Sequence, residues 1–182
     1  MKHIFALAFV ILLPVAAQAQ IYNTNCVTAS PTVDTGGAYA SGDVIGTQLA
    51  FTNLLRYGVG SGIAVSSVVA DKAAQDVDLE LIILRSGITS ATGGSSTVTD
   101  QAAFAPADAD LSKIAGRIFF DDAERSAYSN NSTHVKDSVA IPLKTPTTTT
   151  PSRTVYGVLV ARGAYTGASS SDLAVTLCAA QD

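Results

Sequence analysis

Leu173, Val175 and Leu177 alternate with Ala174, Thr176 and Cys178 without a break, and the same two-residue period recurs along most of the chain. Side chains of an extended strand point to opposite faces in turn, so this pattern builds one buried and one lighter face. Within Gln48–Arg56 the buried set reads Leu49, Phe51 and Leu55; within Gly62–Asp71 it reads Ile63, Val65 and Val69. Val77, Leu79, Leu81 and Ile83 share a face opposite Asp78 and Glu80, and that opposite face turns apolar at Ile82 and Leu84, as under deeper cover. Val135, Val139, Ile141 and Leu143 repeat the pattern, and Arg153–Arg162 and Asp172–Ala179 add two strands. With one strand around Cys26 and a short one at Arg117–Asp121, the reading gives about eight strands.

Glycine-bearing turns at 35–37, 57–60 and 92–95, and a threonine tract fenced by Pro146 and Pro151, separate these strands. One short helix is predicted over Asp108–Ala115, capped by Asp108 or Asp110 and stopped by Gly116. Many strands, no alternation with helices and no internal repeat define an all-β, two-sheet β-sandwich, with a jelly-roll topology preferred. An immunoglobulin-like sandwich is the alternative topology; it would normally place a core Trp between its cysteines, and this chain has no Trp.

The first residues read as an export signal. Lys2 and His3 precede an apolar run from Ile4 to Val15, and Ala17-Gln18-Ala19 offers a small-x-small cleavage site. The expectation is a signal peptide over 1–19 and one sandwich domain over 20–182, periplasmic or extracellular, with no membrane span in the mature part. Loss of Lys2 leaves ten basic against fifteen acidic residues, a formal net charge of −5. The basic residues are scattered singly, which argues against nucleic acid as a partner. In an exported chain, Cys26 and Cys178 are expected to pair, stapling the first and last strands outside the deepest core. Closing so long a loop is worth about 4–5 kcal/mol in chain-entropy terms.

No pattern of catalytic residues emerges. His134 is the one histidine after the leader and sits at a loop-to-strand junction, where it is expected to be solvated. Asp121, Asp122 and Glu124 beside Arg125 read as a charged turn rather than a glycosidase pair. Asp108 and Asp110 lack the regular oxygen spacing of a calcium loop, and no Cys/His set suits zinc. No metal, cofactor or catalytic residue is therefore expected, although a hydrolase built on Asp121, Asp122, Glu124 or His134 is carried as a minor alternative. Of six tyrosines, Tyr57, Tyr128 and Tyr165 fall near loops and could form an aromatic patch for a glycan.

Five segments in order, Ile63–Lys72, Asp78–Leu84, Asp108–Gly116, Tyr156–Gly163 and Ser171–Leu177, resemble small β-rich virion-associated structural proteins of tailed bacteriophages. The resemblance covers most of the chain after the leader and brings no catalytic residues. It implies a sandwich that packs against copies of itself, as a homo-oligomer, or against a capsid or tail surface. The leader and the cysteine pair depart from a particle assembled in the cytoplasm and suit an oxidising compartment. The leading expectation is a non-catalytic structural or interaction protein. The alternative is a secreted carbohydrate-binding or adhesin-like module.

Overall fold

Antiparallel pairing organises every strand among the described residues. The computed structural model describes residues 23–56, 60–88, 98–145 and 152–181. The leader, Tyr57, the glycine-bearing turn at 92–95 and residues 146–151 of the threonine tract lie outside the described residues. Nine strands are formed within them: β1 (Asn23–Ala29), β2 (Leu49–Phe51), β3 (Ser61–Asp71), β4 (Leu79–Leu84), β5 (Ile114–Phe120), β6 (Ser126–Ala127), β7 (Ser132–Lys144), β8 (Val155–Ala161) and β9 (Leu173–Gln181). β1-β9-β3-β7-β6 make a five-stranded front sheet, and β2-β8-β4-β5 make a four-stranded back sheet. Apart from the two-residue β6, the pairing is nested: β1 with β9, β2 with β8, β3 with β7 and β4 with β5. A long hairpin rolled upon itself gives this order, which is the jelly roll.

The core lies between the sheets. Leu173, Val175, Leu177 and Ala179 of β9 face Leu49, Phe51, Leu81, Ile83 and Leu159 from the back sheet, all within one buried cluster. β4 is buried at every position because its outer face is covered as well. There Ile82 and Leu84 join Val44, Ile88, Val158 and Val160, with Val98 and Phe104 packed against them. Val44 is fixed by main-chain bonds, its N–H donating to Ala102 O at 2.9 Å and its carbonyl accepting from Gln101 N at 3.0 Å. At Gly157 the sheet tolerates no side chain cheaply: a Cβ there would meet Leu81 at 3.0 Å and Phe51 at 3.1 Å.

Three local expectations are corrected. The helix is a single turn, α1 (Asp108–Leu111), whose N-cap is Ala107, with no side-chain cap. Ile114, Ala115 and Gly116 instead open β5, where pairing with β4 outweighs helical propensity. Two strands also change phase. Between Ala64 and Ser66 the register of β3 slips against both β9 and β7. Opposite this bulge, Ser138 of β7 adopts φ 59°. An extra residue in a strand exchanges its inward and outward sets. As a result Ile63 and Val135 point to solvent, while Ala64, Ser132 and His134 point inward.

Candidate interaction surface

The inward row of β9 leaves Ala174, Thr176, Cys178 and Ala180 on the outer side of the front sheet. Register across the sheet then sets four rows. The middle row is Thr28, Thr176, Val68 and Val135. Beside it lies the row Cys26, Cys178, Ser66 and Asp137. Ala174, Ala70 and Thr133 bound one end, and Thr24, Ala180, Ile63 and Pro142 bound the other. Asp137, at the margin on β7, is the one ionisable side chain in these four rows; Lys72 and Lys144 stand beyond them. An outward face of an antiparallel sheet normally carries charged and strongly polar residues. This one carries Thr, Ser, Ala, Val, Ile and a disulfide.

The disulfide is formed as the sequence predicts. Cys26 and Cys178 lie directly opposite in the β1–β9 register, with S–S 2.03 Å and Cα atoms 4.0 Å apart. Cys26 is exposed, and the staple sits on the outer face, away from Leu177 and Val27. Thr28 and Thr176 in the next row share a hydroxyl hydrogen bond of 2.7 Å, which holds both side chains flat on the sheet. The terminal strands are tied to the back sheet too: Asn25 Nδ2 donates to Asn53 O at 2.8 Å and Gln181 Nε2 to Leu54 O at 2.6 Å.

A second feature lies on the uncovered part of the back sheet, where β5 forms the edge. Glu80, 4 % exposed, takes a hydrogen bond from Arg162 Nε at 2.6 Å and lies 3.4 Å from Arg117 Nη1. Phe119, 46 % exposed, stands beside them. Arg117 and Phe119 also line an open groove with Lys136, Asp137 and Val139, where β5 meets β7.

The residues singled out in the sequence are scattered. Tyr165 is fully buried, which removes it from any ligand patch. Its ring packs at 6.0 Å from that of Tyr39 and its hydroxyl donates to Asp71 Oδ1 at 3.1 Å. Burial first, and then the Asp71 carboxylate, push the Tyr165 hydroxyl far above the usual tyrosine range. Tyr39 is raised in the same way, chiefly by burial, and donates to Asp100 Oδ1 at 2.8 Å. Tyr128 stays exposed at the turn between β6 and β7, its N–H donating to Asn131 O at 2.8 Å. Asp121 and Asp122 belong to a charged turn: Asp121 Oδ1 accepts from Ala123 N, and Asp122 Oδ1 accepts from Arg125 Nε at 2.7 Å.

His134 reverses its expectation of solvation. The phase change in β7 buries it to 2 % exposure, edge-on to Phe120 at 6.3 Å. Neither ring nitrogen makes a hydrogen bond of normal distance and angle, although the Asp121 main chain lies near the ring, and the buried Ser132 Oγ has no partner either. Burial lowers the His134 pKa from its usual value; Arg125 lowers it further, while the Asp121 main chain and the carboxylates of Asp122 and Asp71 oppose. Ser132, His134 and Asp71 thus share one end of the core without forming a nucleophile–base relay. The Asp71 oxygens are occupied by Tyr165 Oη and the N–H groups of Ala73 and Gln75. Among the described residues no group of three His, Cys, Asp or Glu side chains is placed to hold a metal ion, and no helix is long and apolar enough to cross a membrane.

Fold and surface together define a disulfide-closed jelly roll with one nearly uncharged sheet face. No protein-family model matches the chain, nor does any curated protein or solved structure with which it was compared.

Proposed function

We propose that this protein is a non-catalytic structural or interaction protein, exported through the leader at 1–19 and built like a virion-surface jelly roll. Its working surface is the outer face of the front sheet. The observation that carries the reading is the near-absence of charge across four aligned rows of that face. Its first two strands are tied together by the Cys26–Cys178 staple and the Thr28–Thr176 bond. A face of short side chains with a single marginal carboxylate loses little side-chain entropy when covered and has little charge to desolvate, which favours docking. The cysteine pair supports assignment to an oxidising compartment.

The test is the size of the species in native extracts. Size-exclusion with immunodetection of the chain is run on wild type and on Thr176→Arg, which sets a charge at the centre of the face. Wild type is expected in a species larger than one chain, and T176R as a single chain. Single chains in both, or one unchanged complex in both, refute the reading.

A second reading, a secreted carbohydrate-binding or adhesin-like module, is favoured by Tyr128 at 59 % exposure and by Phe119 beside Arg117. Exposed aromatic rings stack on sugar faces. Glycan-array binding lost on Tyr128→Ala or Phe119→Ala supports it, and an empty array counts against it.

A further inference from the structure

Three properties of the front-sheet face bear on what covers it. The first is area. Strands stand about 4.8 Å apart and alternate residues advance about 6.7 Å, so four strands by four rows make a plane of about 500 Å². Sealing two such planes removes on the order of 1,000 Å² from water, the size at which a protein contact becomes specific. The second property is charge. After loss of the leader the chain carries a formal net charge of −5, so copies repel through most of their surfaces. Across this face, where Asp137 is the one ionisable group, that repulsion is least. An oppositely charged partner gains nothing from such a plane, whereas a second copy meets no penalty. The third property is shape. Thr28, Thr176, Val68 and Val135 form a row of short side chains across four strands, and short, branched side chains of this kind can interdigitate between sheets packed about 10 Å apart.

Resting on the assignment of this face as the working surface, we infer that its occupant is a second copy of the chain. Two front sheets pack face to face about a two-fold axis, with the Cys26–Cys178 disulfides sealed at the contact and Asp137, Lys72 and Lys144 at its rim. A two-fold contact uses the same patch on both subunits, so each row contributes twice. The polar margin around a small uncharged centre matches the general anatomy of protein interfaces. The pair buries only about the minimum specific area, so it dissociates on dilution, with half-dissociation on the order of 1–100 µM.

Sedimentation velocity of the purified, oxidised protein over about 1–500 µM tests this, with Val135→Lys and Leu111→Ser as variants. Val135 is 44 % exposed and points away from the core, so the lysine leaves the fold intact, and Leu111, 51 % exposed on α1, lies outside the four rows. Wild type and L111S are expected to pass from one to two chain masses with rising concentration, and V135K to stay at one mass throughout. A wild-type protein at one mass over the whole range overturns the inference. So does a dimer retained in V135K, or one lost in L111S and not in V135K. If purified wild type is monomeric while native extracts show a complex sensitive to T176R, the face docks another protein and only the second-copy assignment falls. If neither effect appears, the reading beneath it falls too.

Discussion

Replacing both cysteines, Cys26→Ser with Cys178→Ser, removes the staple between the first and last strands without opening the core. Both sulfurs lie on the outer face, Cys26 exposed and Cys178 9 % exposed beneath it, so the change leaves the packing between the two sheets in place. The effect falls on the unfolded chain. The bridge spans a sequence separation of 152, and loop-closure entropy for a ring of that length comes to about 5 kcal/mol at 25 °C. Residual structure in the unfolded state reduces this, so a loss of about 3–5 kcal/mol is expected. With a urea slope of about 2 kcal/mol per molar, the unfolding midpoint falls by about 2 M. The assay is urea unfolding followed by far-ultraviolet circular dichroism at pH 7.5. It compares oxidised wild type, reduced wild type and the double serine variant. The last two should coincide. A loss below about 1 kcal/mol, or clear divergence of reduced wild type from the variant, refutes the loop-closure argument.

Three further substitutions probe the interior. His134→Leu removes two buried nitrogens that make no hydrogen bond of normal geometry, so stability at pH 7.5 should rise by about 1–3 kcal/mol in urea unfolding. The folded His134 pKa lies below the unfolded value, so between the two the unfolded chain binds more protons. Wild type therefore loses stability as pH falls from about 6.5 through the folded value, and H134L should lack that part of the loss. Tyr165→Phe removes a buried hydrogen bond to Asp71 and should lower the urea-derived stability by about 1.5–3 kcal/mol, with the ring packing retained. Gly116→Ala sets a Cβ 2.9 Å from Ile141 and should cost about 1–3 kcal/mol, relieved when Ile141→Ala is added in a double-mutant cycle.

The fold was legible where alternation runs unbroken. Leu173, Val175 and Leu177 face the core, Cys178 faces out, and the apolar turn of Ile82 and Leu84 marks the outer cover on β4. The bulges were not legible. Val65 and Ser138 are ordinary strand residues, and the slip at their position comes from how three strands fit together. That slip exchanges Val135 and His134 between faces, so the burial of His134 and the exposure of Ile63 were both read the wrong way round. The Asp108–Ala115 segment misled for the reverse reason: a helical local preference yielded to β4, which needed a partner along its free edge. The neutral face was hidden as well, because its members come from distant strands and only their register brings Thr28, Thr176, Val68 and Val135 into line.

The sealed face is tested most directly by the rate at which excess phosphine reductant opens Cys26–Cys178. In isolated, dilute protein the exposed Cys26 sulfur should react freely. In the assembled wild-type protein the bridge lies beneath its partner, so opening should slow at least about tenfold, a difference of about 1.4 kcal/mol in access. Equal rates in the dilute and assembled forms contradict the assignment of this face as the working surface.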